Sequence, residues 1–386
     1  AMKHEDYRPQ KVEPWNDDWT IYPVDGYGNH EIIRSVLQKE RPDVLWFMTD
    51  PRFYGWLWEI ENEVRVNVPM MYYHVWDNYP HPHFNSQFYR STDEVVAISK
   101  VTHNILQAVA PSVPSRYLPH AVNGAHFYKY KEAADKAKIT ELRRRILVES
   151  AIPKYQNVNK TLFFWNNRNA RRKQSGTMVW WFKEWLDKVG HDKATLLMHT
   201  DAQDPHGQDL PHLIEHLDIS EGQILLSTNK VDAADLAAMY NAADFTINIS
   251  DAEGFGLATL ESLACGTPII VNMTGGLQEQ VTNGKDWFGW GIQPSSKAVI
   301  GSLSVPYIYE DRISQADFEK ALSSALNASK KAYNKMSKEG MKHVAENYNF
   351  EKFEREWIET MDNFVKEHGS WKDRKGYKRW HLMEVA

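Results

Sequence analysis

The stretch Asn248-Ile-Ser-Asp-Ala-Glu-Gly-Phe-Gly-Leu-Ala-Thr-Leu-Glu-Ser-Leu-Ala-Cys-Gly-Thr-Pro-Ile-Ile-Val271 constrains this 386-residue chain more than any other. The apolar run Phe245 to Ile249 leads into it and predicts a short buried strand of a parallel sheet. Glu253-Gly-Phe-Gly256 then breaks the periodicity. Leu257 to Ala264 restores it with helix formers, apolar at Leu257, Leu260, Leu263 and Ala264. Gly266-Thr-Pro268 ends that helix and starts a second apolar run, Ile269-Ile-Val271. Strand, glycine loop, helix and strand in this order are a unit of an open α/β sheet.

In such a unit the loop and the helix N-terminus meet at the carboxyl end of the strand, where backbone N–H groups point outward and the macrodipole favours negative charge. The arrangement is built to hold an anion. Glu253 stands just before the loop and Glu261 about one turn into the helix. A carboxylate beside a phosphate is repelled by it, so both should accept hydrogen bonds from hydroxyls instead. Phosphate together with many hydroxyls describes a nucleotide sugar.

At these residues the sequence resembles a family. Glu253-Gly-Phe-Gly-Leu, Glu261, Cys265-Gly-Thr-Pro and Gly275-Gly-Leu-Gln-Glu279 follow the order and spacing of the donor site in the glycogen-synthase-like retaining glycosyltransferases, glycosyltransferase family four or group 1. The resemblance spans about residues 40 to 350 and is strongest from 160 to 285. It implies the α/β GT-B fold, in which two doubly wound Rossmann-like domains face each other across a cleft. It also implies that Glu253 is placed by the hydroxyls of the transferred sugar and Glu261 by the ribose. Gly254, Phe255, Gly256 and Leu257, with the second glycine turn at Gly275 and Gly276, would then surround the donor.

The length allows two cores, consistent with two domains. We expect an N-terminal Rossmann-like domain over 1–155 on the acceptor side, a nucleotide-sugar domain over 156–350, and a helix over 351–386 that crosses back to the first domain and ends in a tail. The formal charge of −6 speaks against a general nucleic-acid binder. Cys265, the single cysteine, forms no internal disulfide and fits a reducing compartment. No apolar run approaches the ~20 residues that span a bilayer, and no signal peptide is visible, so a cytoplasmic protein is expected.

In the first half the pattern predicts a strand at Trp19 to Tyr22, a helix over Glu31 to Lys39, and strands over Val44 to Met48, Pro69 to His74 and Asp93 to Ser99. The glycine-rich strand, loop and helix with which relatives begin is not found here; either it has been lost or it lies outside this sequence. His74 sits at the carboxyl end of its strand, the end that faces the ligand crevice. Relatives carry a histidine near the transferred sugar after a comparable strand, so the resemblance nominates His74. Asp77 is a weaker candidate. His74, His81 and His83 lack metal-ligand spacing on a defined element, and no metal is expected.

The second half opens with the strand Thr161 to Trp165, followed by Asn166-Asn-Arg-Asn-Ala-Arg-Arg-Lys173. Arg168, Arg171, Arg172 and Lys173 thus enter a helix at the end where positive charge opposes its dipole, a local cost that an anion between them would offset. In the family an arginine and a lysine five positions on clamp the donor diphosphate; Arg168 and Lys173 match, while Arg171 and Arg172 are expected to face solvent. By the same resemblance Lys230 and Val231, after the strand Gln223 to Ser227, flank the nucleobase. The stripe Phe353, Trp357, Met361 and Phe364 predicts a packed terminal helix.

The reaction implied is transfer of a sugar from a nucleotide diphosphate sugar, UDP- or GDP-linked, to an acceptor hydroxyl with retention. The acceptor is a glycan, a lipid-linked or a small molecule, and no cofactor takes part. The alternatives are a nucleotide-sugar epimerase on the same fold and a catalytically silent sugar-binding or assembly module.

Overall fold

The computed structural model describes residues 10–11 and 20–381. Two parallel sheets carry the chain. The first holds β1 (Leu45–Thr49), β2 (Met70–His74), β3 (Glu94–Ala97) and β4 (Ser115–Tyr117) in consecutive order. The second holds β5 (Thr161–Asn166), β6 (Ala194–His199), β7 (Ile224–Ser227), β8 (Phe245–Asn248), β9 (Ile269–Asn272) and β10 (Gly289–Ile292) in the order β10-β9-β8-β5-β6-β7. These are the Rossmann-like sheets of a GT-B fold. Phe163, Phe164 and Trp165 are fully buried in succession because helices cover both faces of the second sheet, which is why its strands read as continuous apolar runs.

The two sheets differ at one point of topology. Within the second, strand order reverses between β8 and β5, so the connections leaving these neighbours diverge and open a crevice at their carboxyl ends. The segments that emerge there are 167–173, with its four cations, and 249–256, the glycine loop. Among the described residues the consecutive order of the first sheet contains no such reversal.

The helix Phe350–His368 lies against the first sheet. Phe364 is fully buried, Trp357 meets Tyr73 at 5.1 Å and Trp46 at 5.9 Å, and Arg116 Nη1 donates to Thr360 Oγ1 at 3.4 Å. Beyond the helix, Arg374 binds Asp93 at 2.7 Å, and the Asn62 amide donates to the Trp380 carbonyl at 2.9 Å. The described part of the tail is therefore strapped to the first half.

Some elements were not anticipated. Residues Ser296–Ile300 (β11) and Ile308–Arg312 (β12) form an antiparallel hairpin. It grows from the second half, yet Val305 near its tip is buried in the core of the first, beside Trp76 and Val95. Phe84 and Tyr307 touch at 5.4 Å, and the Asn78 amide donates to the Tyr309 carbonyl at 2.9 Å. The helix Ala133–Arg144 ends in a wider turn over Arg145–Glu149. Of the strand expected at Trp19 to Tyr22 the structure has Thr20–Ile21, paired with Gln10–Lys11; Trp19 lies outside the described residues, as do 382–386. Truncating Phe364 to Ala should cost about 3–5 kcal/mol of stability, because the ring is fully buried and its loss leaves a cavity in the core; urea denaturation measures it.

Candidate functional site

The crevice of the second sheet opens into a cavity of about 600 Å³ shared by both halves. The first half contributes Asp50, Arg52, Trp76, Asp77 and His120, and the second Arg171, Arg172 and the glycine loop from Glu253 to Leu257. The hairpin closes one side with Ile300, Val305 and Ile308.

The glycine loop is held by close backbone approach. Gly275 has φ +48°, and a Cβ there would lie 2.0 Å from the Glu253 carbonyl oxygen, so only glycine lets the two turns stack. The Gly276 amide donates to that carbonyl at 2.9 Å. Gly256, at φ +92°, precedes the helix Leu257–Ala264, whose first turn has no side-chain cap. Its free amides are therefore available to an anion at the helix N-terminus. Phe255 turns its ring inward onto His120 at 5.3 Å and is 4 % exposed; it lines the cavity at the loop, while Leu257 projects at the mouth, 43 % exposed.

Lys173 is buried and its Nζ donates to Glu253 Oε2. Burial pushes the lysine below its usual range against the pull of Glu253. Burial also works to raise Glu253, but Lys173 and then Arg172 outweigh it and hold the carboxyl below the usual range. Asn248 Nδ2 and Ser250 Oγ add long contacts to the same oxygen, each at 3.5 Å. The pair ties the cationic loop to the glycine loop. Two further bonds run beside it, Asp251 amide to Arg172 carbonyl at 2.8 Å and Arg172 Nη1 to Ala252 carbonyl at 2.6 Å.

Expectations from the sequence change at several residues. Arg168 does not line the cavity: its guanidinium is held by Asp204 at 2.6 Å and reaches His206 at 2.8 Å, on the 200–207 loop. Arg171 and Arg172, expected to face solvent, line the cavity instead, each with about half its side chain exposed. Arg171 Nη1 donates to Glu310 Oε2 at 2.8 Å, and Arg312 Nη2 reaches the same oxygen at 2.8 Å. His74 also lies off the cavity. It is fully buried, bonded to Tyr72 Oη at 3.2 Å and packed on Tyr89 at 4.7 Å, and burial lowers it to about 3, so the ring is neutral. The loop that follows β2 passes beyond it and carries Asp77 to the crevice.

The histidine that does reach the cavity is His120, just past β4, bonded to Tyr73 Oη at 3.1 Å and lowered by burial to about 4. Its place at a strand's carboxyl end was a usable signal. Glu261 stands in the second turn of its helix, where Tyr240 Oη donates to it at 2.8 Å; Asn166 Nδ2, at the end of β5, donates to the same hydroxyl at 2.8 Å. Burial raises Glu261. Glu261 and the residues Lys230 and Val231, which follow β7, are outside the lining of this cavity. Among the described residues no group of three His, Cys, Asp or Glu side chains could hold a metal ion, and no helix is long and apolar enough to cross a membrane.

Asp251 gives a pH signature. Burial raises its carboxyl to about 6, against Arg312 Nε at 3.1 Å. The folded chain therefore keeps a proton that the unfolded chain has released from ~4 upward, and this residue makes stability fall as pH rises through that window. In Asp251→Asn the fall between about pH 4 and pH 6 should become shallower, as read from urea midpoints across that range.

Residues 203–343 match the family described as Glycosyl transferases group 1. Alpha-monoglucosyldiacylglycerol synthase of Streptococcus pneumoniae is 28% identical over 185 residues, 48% of this chain and 38% of that protein. The D-inositol 3-phosphate glycosyltransferase of Thermobispora bispora is 50% identical over 50 residues, 13% of this chain and 12% of that protein. Each match thus spans well under two thirds of the relative's length. Among solved structures, sucrose-phosphate synthase from Thermosynechococcus elongatus superposes with a TM-score of 0.65 at 18% identity, over 87% of this chain and 77% of that one. Anabaena Alr3699/HepE, in complex with UDP and glucose, superposes with a TM-score of 0.65 at 14% identity, over 88% and 86%. Residues 203–343 thus form a group 1 glycosyl transferase domain, set within a chain whose two-sheet architecture is the GT-B fold.

Proposed function

We propose that this chain transfers a sugar from a nucleotide diphosphate sugar to an acceptor hydroxyl, with retention of configuration and without a metal. One observation carries the reading: the cationic loop, the glycine loop with its uncapped helix and a buried carboxylate converge on a cavity that both halves wall. The Anabaena neighbour, whose structure holds UDP and glucose, supports a UDP-linked donor.

In this mechanism the leaving diphosphate sits on the amides of Gly256 and the first helical turn, with Arg172 and Lys173 countering the charge that grows as the glycosidic bond breaks. Fixed dipoles and cations of this kind stabilise a developing charge without reorganising, and one such contact is worth about 3 kcal/mol, roughly a hundredfold in rate. Glu253 orients the transferred sugar and Glu261 the ribose. Arg168 comes to the diphosphate only by leaving Asp204; Arg171 already lines the cavity but is bound to Glu310. The carboxylates Glu253 and Glu261 address different parts of the donor, so no covalent glycosyl intermediate is assigned to them.

The test is direct. With UDP, GDP, ADP and CMP in a thermal-shift panel, one nucleoside diphosphate at a hundred times its Kd should add about 2.7 kcal/mol of stability without magnesium. Lys173→Ala and Glu261→Ala should each lower turnover of the matching nucleotide sugar about a hundredfold. Turnover within threefold of the parent in both variants would overturn the donor-site assignment.

A further inference from the structure

We infer that Asp77 reads the sugar of the donor, its carboxylate accepting a hydrogen bond from a hydroxyl of that sugar across the cleft. The inference rests on the donor site proposed above and adds to it a residue from the opposite half.

Position comes first. Asp77 follows β2 in the loop that the first half sends into the cavity, and it lies against both glycine turns. A Cβ built on Gly275 would stand 3.4 Å from the Asp77 Cβ, and one on Gly254 would stand 4.0 Å from Asp77 Oδ2. At Gly254 the halves also approach closely, since a Cβ there would meet the Val75 carbonyl oxygen at 2.9 Å. Whatever rests on the glycine loop therefore rests beside this carboxylate.

Partnering comes second. Glu253, in the same cavity, already takes Lys173, Asn248 and Ser250. Among the described residues no hydrogen bond from another residue reaches the Asp77 carboxylate. Arg172 and Lys173 act on it only at longer range, and Glu253 repels it. A half-buried carboxylate without donors is costly, and burial raises its pKa to about 6. The chemistry that completes it is a neutral donor. A diphosphate offers none and would be repelled, whereas the ring hydroxyls of a sugar offer several in fixed directions, so one configuration can satisfy Asp77 where its epimer does not.

The experiment compares the parent with Asp77→Asn and Asp77→Ala by calorimetric titration of UDP, GDP, UDP-glucose, UDP-galactose and GDP-mannose, with folding checked by thermal unfolding. The parent should bind one of these nucleotide sugars more tightly than the matching nucleoside diphosphate. Asp77→Ala should weaken that nucleotide sugar at least tenfold and compress the preference between glucose and galactose forms. Its affinity for the nucleoside diphosphate should hold or rise, because one negative charge beside the phosphates is gone. Asp77→Asn, which keeps the shape and one acceptor, should fall between. Unchanged nucleotide-sugar affinity would overturn the inference, as would equal loss of nucleotide sugar and nucleoside diphosphate in both variants, which marks a structural role. A parent whose sugar adds nothing to binding would overturn it too. A parent that binds no nucleotide at all would instead overturn the proposed function, and this is seen before any substitution is made.

Discussion

Lys173 and Glu253 are opposite charges brought together inside the protein from loops 80 residues apart in sequence. Taking either out of water alone would cost several kcal/mol, and removing one partner of such a pair typically destabilises by about 3–5 kcal/mol. The rest of the site depends on this contact. It presses the cationic loop after β5 against the glycine loop after β8, and the Asp251 amide and Arg172 guanidinium repeat the tie on either side. The reversal of strand order brings those two loops to one place, and the ion pair fixes how they meet.

Around that centre the two halves are joined by three different devices. Gly254 permits backbone contact across the cleft, the hairpin lodges Val305 in the opposite core, and the long terminal helix covers the first sheet. Glu310 links the hairpin to the site, since it binds Arg171 of the cationic loop while its own side chain is almost wholly buried. Arg171 therefore has two competing uses: a phosphate arriving in the cavity would draw on the same guanidinium that now steadies the hairpin. Asp251 and Arg312 continue this web, so a charge placed beside the cationic loop is felt along the wall of the cavity.

The strand, glycine loop, helix and strand from Phe245 to Val271 were legible to within a residue, because periodicity changes from continuous to helical and glycines mark the change. The same holds for the strand expected over Thr161 to Trp165, which runs on to Asn166, and for the terminal helix with its aromatic stripe. Side-chain direction was not legible. Spacing nominated Arg168, but Asp204 and His206, which hold it, lie on another loop; Arg171 turns to Glu310, 139 residues away. His74 and His120 both sit at carboxyl ends of strands, and burial alone separates them. The hairpin escaped because Gly301, Ser302 and Ser304 interrupt it and its apolar residues serve different surroundings: Val299 and Leu303 are exposed, Val305 is buried. The tail could not be read at all, since Arg374 acts through Asp93, 281 residues earlier.

That last contact bears on how the molecule is made. The first half consists of two separate lengths of chain, one before the second sheet and one after it. On the ribosome the strands β1 to β4 emerge before the second sheet, yet Met71, Tyr73 and Val96 have no helix to cover them until Phe350–His368 has been made. The second half has all six strands of its sheet by Ile292, well before that helix exists. Maturation therefore runs against the direction of synthesis: the half that is made first is the half that is completed last, and during that interval its apolar face is what a chaperone would find.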